Sequence, residues 1–250
     1  MFKEERCEKI LELLHSQGFL TVEYLANKLH YSPATVRRDL VYLAKQGCIE
    51  KSYGGASAVD FDKRHILPYK LREKTYSDEK KSMCRLAADM ISENNVIFID
   101  GSTTAAGIID FLDERKNITV ITQNLESCIK LQQKNIKGFC TGGEILPQTP
   151  ILLGKLTVDI LSEINTDIMF FASKSISRDG IISEYSESIV TSLQAAMKNT
   201  SKIVYMTDSS KIGSKSMFNI CSLDDVDAVI SEKNIKDCFE CDTDSTKFIF

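Results

Sequence analysis

Residues 96–108, VIFIDGSTTAAGI, contain the side chains whose types and order indicate ligand chemistry most directly. Four apolar residues lead into an aspartate, a glycine and three hydroxyl side chains, and small residues that can begin a helix follow. Backbone N–H and side-chain O–H groups at such a turn can hold an anion, which the helix dipole also favours. Taken alone, a Gly-Ser/Thr turn between a strand and a helix is often only a helix cap.

Polar, flexible residues follow three further apolar runs, beginning at Thr122, Thr141 and Asp208. Because ligands of open α/β sheets bind beyond the carboxyl ends of the strands, we expect these segments to share one sheet edge. Lys211 adds a compact positive charge that suits phosphate, and Asp100 can accept hydrogen bonds from sugar hydroxyls. The predicted ligand is therefore a phosphorylated polyol. The predicted effector-binding residues are Asp100, Gly101, Ser102, Thr103, Thr104, Thr122, Gln123, Asn124, Gly142, Gly143, Asp208 and Lys211.

Apolar runs that read as strands alternate with helical segments throughout this part of the chain. The first helix of the series begins at Ser77 or Asp78, and Met83, Ala87 and Ile91 lie on its inward face. Strands that alternate with helices predict a mainly parallel sheet covered on both faces, in an α/β domain over residues 77–250. The predicted strands are residues 96–99, 118–121, 137–140, 168–172, 203–206, 226–230 and 248–250.

A second pattern lies near the N-terminus, where three helices are predicted in quick succession. Gly18 ends the first, Thr21 caps the second, and the third is SPATVRRDLVYLAKQG, with Ser32 as its N-cap and Gly47 as its stop. Val36, Leu40 and Leu43 form the inner stripe of this third helix, which leaves a cationic, hydroxyl-bearing face outward. The arrangement is that of a helix-turn-helix, with the third helix as the DNA-reading helix.

The segment CIEKSYGGASAV reads as a strand, a Gly54-Gly55 turn and a second short strand, which is the hairpin of a winged helix. Arginine on a recognition helix can bond to guanine or to phosphate. The competing interpretation of Arg37 and Arg38 is a solvated helix face with local pairing to Asp39. The predicted DNA-contacting residues are Ser32, Thr35, Arg37, Arg38, Tyr42, Lys51, Tyr53, Gly54 and Gly55.

Composition and charge limit the classes of protein to which the chain can belong. The chain has 250 residues, of which 43% are hydrophobic and 26% charged, as in ordinary globular proteins. Residues 1–81 hold 15 Lys and Arg against 12 Asp and Glu, whereas residues 82–250 hold 16 against 23, which indicates two domains with different partners. We predict a DNA-binding domain over residues 1–57, a connector over 58–76 and the α/β domain over 77–250.

The start of the chain has no signal-like apolar region, and no run approaches the roughly 18 apolar residues of a membrane span. We therefore expect a cytoplasmic protein without a membrane partner. The eight cysteines have no repeating interval and are expected to be reduced. Cys238 and Cys241 form the one close pair, and without a second pair or a nearby histidine they predict no metal site; no cofactor is predicted either.

Residues 20–56, LTVEYLANKLHYSPATVRRDLVYLAKQGCIEKSYGGA, resemble the N-terminal domain of the DeoR family of bacterial transcriptional regulators, including its TxRRDL core and the glycine pair of its wing. Residues 77–231 resemble the effector domain of the same family through DGSTT, VITQNL, TGG, Gly154 and TDSSK. The resemblance implies a fold similar to ribose-5-phosphate isomerase and an effector that is a sugar phosphate. It also implies operator DNA as partner.

The chain departs from the family pattern at several positions. Lys51 stands where arginine is usual, which keeps the charge but loses the planar fork. Gln123 replaces the usual asparagine, and Ala172 and Ser175 replace usual glycines. Thr191 stands where a lysine is frequent. These departures bear on recognition of the sugar portion of the ligand.

Two main functions are compatible with these patterns. The first is a transcriptional regulator, most simply a repressor of carbohydrate metabolism genes that a phosphorylated sugar controls. It would be a homo-oligomer, a dimer or tetramer, since a single winged helix gives modest affinity for DNA. The second is a sugar-phosphate isomerase or deaminase with an accessory DNA-binding domain, which needs a carboxylate poised as a base. Binding without turnover is favoured, because no candidate carboxylate lies in a catalytic motif. A nucleoid or RNA-binding protein is disfavoured by the modest N-terminal charge.

Overall fold

The structure is a computed structural model that describes residues 3–45, 48–58, 69–74, 77–113, 117–146, 149–243 and 246–250. The chain divides into two compact units, Met1–Thr75 and Tyr76–Phe250. Gly47, the predicted stop of the third helix, and residues 59–68, 75 and 76 of the predicted connector lie outside the described residues.

The first unit contains the predicted three helices. Gly18 ends the first with a positive φ of 79°, the Thr21 hydroxyl accepts from Tyr24 N at 3.1 Å, and the Ser32 hydroxyl accepts from Thr35 N at 3.2 Å. Val36, Leu40 and Leu43 are buried with residues of the other two helices in one apolar cluster. The elements are α1 (Lys3–Gln17), β1 (Leu20–Thr21), α2 (Val22–Leu29), α3 (Pro33–Lys45), β2 (Ile49–Ser52) and β3 (Gly55–Ala58).

The predicted wing is present, with its turn one residue earlier than expected. Ser52 pairs with Gly55, so Tyr53 and Gly54 form the turn, and Gly54 has a positive φ of 81°. Gly55 belongs to β3, where a Cβ atom would lie 2.3 Å from the carbonyl oxygen of Leu20. The close approach arises because β1 pairs with β3, which gives a three-stranded sheet in the order β1-β3-β2.

The described part of the connector contains a helix that the sequence did not predict, α4 (Tyr69–Lys74). Its six residues are too few for a recognisable helical period. Tyr69 is buried.

The second unit is built on a seven-stranded sheet in which every described pair is parallel. Its strand order is β15-β14-β12-β9-β4-β5-β6. Four strands have the predicted bounds; two others are shifted by one residue at both ends, and one begins two residues later than predicted. The strands are β4 (Val96–Ile99), β5 (Thr119–Thr122), β6 (Lys137–Cys140), β9 (Ile168–Ala172), β12 (Ile203–Met206), β14 (Ala228–Ile230) and β15 (Lys247–Ile249).

Apolar residues cover both faces of the sheet, as predicted. One cluster packs α5 (Ser77–Asp89), the short helix α6 (Thr103–Ala106) and α7 (Leu125–Gln133) on one face, and its buried residues include Met83 and Ile108. The other packs α8 (Lys155–Glu163) and α9 (Glu187–Met197) on the opposite face, around Phe171 and Leu193. The fold class is thus a helical winged domain followed by an α/β domain.

Short antiparallel pairings were not predicted. Strands β10 (Ser175–Ile176), β11 (Ile181–Glu184) and β13 (Phe218–Ser222) form a three-stranded sheet, and β7 (Glu144–Ile145) pairs with β8 (Leu152–Leu153). Strands β7, β8 and β10 have only two residues each, and β11 (IISE) and β13 (FNICS) lack the continuous apolar run that marked the strands of the large sheet.

The strand order reverses between β4 and β9, which places the switch point of the sheet there. The chain runs from β4 outward through β5 to β6, returns to β9 beside β4, and then runs the other way through β12 to β15. In open α/β sheets the crevice at such a reversal, beyond the carboxyl ends of the strands, is the usual place for a ligand. The loop that follows β4 begins with Asp100.

Candidate functional site

Asp100 bridges the two strands of the switch point. Its Oδ2 accepts from the backbone N–H of Ala172, at the end of β9, at 3.3 Å. Its Oδ1 accepts from the backbone N–H of Ser102 at 3.0 Å and from the Ser102 hydroxyl at 2.6 Å. The carboxylate is buried, and its hydrogen bonds hold the loop after β4 against β9.

Burial raises the pKa of Asp100 to about 6, against the opposing effects of the Ser102 and Ala172 hydrogen bonds and the positive charge of Lys211. Both oxygens have protein donors, so this geometry favours a positioning role for Asp100 over the direct contact with sugar hydroxyls predicted from the sequence. Direct contact between Asp100 and the effector stays a prediction.

The three hydroxyl residues after Gly101 differ in what they can offer a ligand. The Ser102 hydroxyl caps α6 by accepting from Ala105 N at 3.1 Å, while it donates to Asp100. Thr104 is buried, and its carbonyl oxygen accepts from the Cys84 thiol at 3.2 Å. Gly101 leaves room for Ile151, whose Cγ2 would lie 2.8 Å from an added Cβ. Much of the DGSTT turn therefore has a local structural role.

Lys80 approaches the same turn from α5, a contact that was not predicted from the sequence. Its ammonium donates to the Thr103 hydroxyl at 3.3 Å. Lys80 and Lys81 are adjacent lysines on a helix with acidic neighbours, a pattern typical of a solvated surface. Lys80 can be recognised as a cation of the site only because α5 packs over the loop.

Lys211 is close to one buried carboxylate and acts electrostatically on a second. Its ammonium is 3.8 Å from Asp208 Oδ2, and its charge acts on Asp100. Asp208 Oδ1 accepts from the backbone N–H of Ser210 at 3.1 Å and from the Ser210 hydroxyl. The structure therefore brings Asp100, Asp208 and Lys211 together across the ends of β4, β9 and β12, with the lysine side chain about a quarter exposed (23%).

At the end of β5, Thr122 and Asn124 make structural hydrogen bonds, whereas the side-chain oxygen of Gln123 can still accept one. Thr122 accepts from Asn124 N at 3.2 Å. Asn124 caps α7 through Ser127 N at 3.1 Å and donates to the Gly101 carbonyl at 3.2 Å, which joins the two loops. Gln123 Oε1 is buried and, within the part of the chain that the structure describes, has no hydrogen-bond partner. A buried acceptor without a donor favours a ligand hydroxyl at this position.

Gly142 and Gly143, which follow β6, lie against residues of β8 and α8. Gly142 and Gly143 have positive φ values of 68° and 126°. A Cβ on Gly143 would lie 2.3 Å from the Thr157 hydroxyl, and that hydroxyl donates to the Gly142 carbonyl at 2.7 Å. Both glycines are explained by backbone conformation, and their predicted ligand contact stays a prediction.

Hydroxyl groups beyond β9 form a buried network that the sequence did not indicate. The Tyr205 and Ser173 hydroxyls are 2.7 Å apart, and Ser175 contacts Ser183 at 3.1 Å and Ser216 at 2.7 Å. Burial raises the pKa of Tyr205, which stays neutral. Ser175, one of the departures from the family pattern, is thus a structural link between β10 and β11. Thr191, another departure, bonds within its own helix to the Glu187 carbonyl at 2.8 Å.

The outer face of α3 carries the predicted arginines. Arg37 and Arg38 are both exposed, and Arg37 makes one distant, solvent-exposed ion pair with Glu23 at 3.8 Å. Asp39 does not pair with them. It is buried and bonds to Arg6 of α1 at 2.5 Å and 3.1 Å. The local pairing to Asp39 that the competing interpretation included is therefore wrong, whereas the exposure of both arginines is compatible with a solvated helix face as well as with DNA contact.

The other predicted DNA contacts fall into two groups. Lys51, Tyr53 and Gly54 are exposed on the wing. Among the remainder, Ser32 and Thr35 share a hydrogen bond at 2.9 Å, Tyr42 is half-buried beneath the Lys3 ammonium at 3.5 Å, and Gly55 is buried. These four shape the surface, and their direct contact with DNA stays a prediction.

The part of the chain that the structure describes contains no candidate metal site and no candidate membrane-spanning helix. No group of three or more His, Cys, Asp or Glu side chains there could hold a metal ion. No helix there has the length and apolar character needed to cross a bilayer. Cys238 and Cys241 are free thiols; Cys238 ends a short 3-10 helix, and Cys241 lies in the loop after it.

Comparison with curated proteins finds similar regulators along nearly the whole chain. The glycerol-3-phosphate regulon repressor of Escherichia coli is 30% identical over 93% of this chain and 92% of its own length. The HTH-type transcriptional repressor GlcR of Bacillus subtilis is 30% identical over 97% and 93%. The lactose phosphotransferase system repressor of Staphylococcus epidermidis is 27% identical over 94% of each chain.

Among solved structures, the translation initiation factor eIF-2B of Pyrococcus horikoshii matches with a TM-score of 0.50 and 16% identity, over 92% of this chain and 88% of that one. Ribose-5-phosphate isomerase A of Methanocaldococcus jannaschii matches with a TM-score of 0.42 and 18% identity, over 55% of each chain.

Family models match residues 6–61 as a DeoR-like helix-turn-helix domain and residues 75–233 as a DeoR C terminal sensor domain. The chain therefore belongs to the DeoR family of transcriptional regulators, as its motifs predicted.

Proposed function

We propose that the protein represses carbohydrate metabolism genes and that a phosphorylated sugar or polyol, bound at the carboxyl edge of the seven-stranded sheet, controls its binding to operator DNA. The observation that carries this proposal is the convergence of Lys211 and Lys80 on the switch-point loop that Asp100 anchors to β9. Two lysines at a strand-end crevice offer the point charges that suit a phosphate group.

The polyol portion has a separate recognition element. Gln123 Oε1 is a buried acceptor that lacks a donor among the described residues, and Asn124 of the same segment bonds to Gly101 of the switch-point loop. A ligand hydroxyl would supply the missing hydrogen bond. Two relatives are named for the glycerol-3-phosphate regulon and for the lactose phosphotransferase system, which supports a small phosphorylated carbohydrate as the ligand class.

A sugar-phosphate isomerase or deaminase is not favoured. Asp100 and Asp208 already accept hydrogen bonds from backbone and serine groups of their own loops, and Glu184 accepts from Tyr185 N at 2.8 Å. The other candidates by type, Glu144 and Glu187, are exposed. None of these contacts aims a free carboxylate at the crevice, so the arrangement supports binding without turnover.

The partners follow from this assignment. Operator DNA is contacted by α3 and the wing, in the cytoplasm where the DNA lies. The chain acts as a homo-oligomer, a dimer or tetramer, because two linked winged domains on paired half-sites gain affinity from their effective concentration.

Thermal melting across a panel of sugar and polyol phosphates tests the proposal. A ligand at 100 times its Kd adds about 2.7 kcal/mol to the free energy of unfolding, which gives a measurable rise in Tm. Lys211→Met should remove the shift, because the phosphate loses a charge-assisted partner. Lys202→Met is the matched control, since Lys202 is exposed at the opposite, amino-terminal edge of the sheet.

The same ligand must also change the affinity for DNA if it is the effector. A titration of DNA affinity against the ligand, for the unmodified protein and both variants, separates binding from signalling. If the ligand shifts the Tm of Lys211→Met and of the unmodified protein equally, the ligand binds outside the switch-point crevice.

A further inference from the structure

A buried ion pair joins α1 to the inner side of α3. Arg6 Nε donates to Asp39 Oδ2 at 2.5 Å, and its Nη2 donates to Asp39 Oδ1 at 3.1 Å. The two side chains are 11% and 3% exposed. The planar guanidinium thus holds both carboxylate oxygens in a fork geometry that fixes direction as well as distance.

The same guanidinium also contacts the turn that leads into α3. It lies over the Tyr31 ring, 4.7 Å from the ring centroid, and Tyr31 directly precedes the N-cap residue Ser32. At the other end of the helix, the Lys3 ammonium lies 3.5 Å from the centroid of the Tyr42 ring. Residues of the first turns of α1 therefore contact α3 near its start, middle and end.

The apolar contacts of α3 are less directional than this pair. Val36, Leu40 and Leu43 pack into the shared core, where the hydrophobic effect has no preferred direction. A buried bidentate ion pair is satisfied in one arrangement only, and an uncompensated buried charge is strongly unfavourable. Asp39 is the one buried acidic residue of α3 and directly follows Arg38, so its partner sets the direction in which Arg38 points.

The pair also removes an opposing charge from the outer face. Arg6 compensates the Asp39 carboxylate on the inner side of the helix, and Arg38 remains exposed toward solvent. If Asp39 were free to turn outward, its charge would lie next to the arginines and weaken their attraction to DNA.

We propose that Arg6 is a positioning residue for sequence recognition: through its fork on Asp39 it fixes the rotation of α3, so that Arg38 meets base edges at the correct angle. The inference rests on the assignment of α3 as the recognition helix. It predicts that loss of the pair lowers the preference for specific DNA more than it lowers the affinity for DNA in general.

The test compares two duplexes of equal length, one selected from a random-sequence pool by the unmodified full-length protein and one scrambled. The main variant is Arg6→Met with Asp39→Leu, because exchange of a buried ion pair for apolar residues usually preserves folding. We expect an unchanged Tm, unchanged affinity and salt dependence on the scrambled duplex, and a loss of about tenfold or more in the ratio of specific to scrambled affinity, the range of one misplaced bidentate contact.

Two further variants make the result decisive. Arg6→Lys retains the charge without the planar fork and should lose part of the same ratio, so it carries the test if the double variant does not fold. Lys9→Met removes one exposed charge from the same helix and should leave the ratio unchanged. A folded double variant, or Arg6→Lys in its place, with the ratio of the unmodified protein would overturn the inference. Arg38→Ala separates this outcome from a failure of the recognition-helix assignment, because only the latter leaves the ratio of Arg38→Ala intact.

Discussion

Burial raises the pKa of Asp100 and thereby makes the free energy of unfolding depend on pH. The folded-state pKa is about 6, above the ordinary value of 3.8, so the folded protein holds this proton more tightly than the unfolded chain. The resulting stabilisation is fully present below about pH 4 and is lost as the pH rises through 6. Over that window a shift of about two pKa units corresponds to roughly 3 kcal/mol.

Asp100→Asn isolates this contribution, because the amide does not titrate. We expect the free energy of unfolding of the unmodified protein, minus that of the variant, to fall by roughly 3 kcal/mol between pH 4 and pH 7. Denaturant unfolding at several pH values measures both curves, and subtraction removes the other carboxylates. Parallel curves would show that Asp100 titrates normally.

At the scale of elements, α3 and the wing are expected to contribute differently to DNA binding. Arg38→Ala should cost roughly 1–3 kcal/mol on the selected duplex and relax the preference at one base position. Lys51→Ala should weaken binding to all duplexes similarly, and it should reduce the slope of log affinity against log salt by about one, because a wing lysine contacts phosphate.

Competition binding at fixed salt, followed by a salt series, measures both variants. They are matched controls for one another, since each removes one exposed positive charge from the same unit. If Arg38→Ala loses the same affinity for selected and for scrambled DNA, Arg38 contacts phosphate and not a base edge.

At the scale of the whole molecule, we expect the outer edge of β6 to contact a second copy of the chain. Strand β6 ends the seven-stranded sheet, and all four of its residues are exposed. Phe139 on this strand and Ile129, Ile145 and Leu156 on adjoining elements are each more than half exposed. An open strand edge flanked by apolar side chains can pair with the same edge of another copy around a twofold axis.

Phe139→Lys should therefore shift the protein toward monomer at micromolar concentration, because it places a charge at the centre of this edge. Affinity for paired half-sites should fall with it, through loss of effective concentration. Met217→Lys is the control, since Met217 is similarly exposed next to a strand of the small antiparallel sheet. Light scattering with and without DNA measures the state. An oligomer that survives Phe139→Lys would place the interface elsewhere.

The sequence alone determined the elements whose signals are local. Four strands of the sheet were predicted to the residue, because runs such as residues 168–172 are apolar throughout and flanked by polar segments. The caps at Thr21 and Ser32 were predicted for the same reason, since a cap depends on residues within one helical turn. The family, the winged domain and the set of polar strand ends all followed from such local patterns.

The tertiary structure decided which of these residues meet and in what state. Strand order is set by long-range packing, so only the fold places β4 beside β9 and joins Asp100 to Ala172, which is 72 positions away. Lys80 and Arg6 look like surface cations in the sequence, and packing alone turns one toward Thr103 and buries the other on Asp39. The free energy of a buried charge depends on its partners and on its exposure to water, and neither property is encoded by neighbours along the chain.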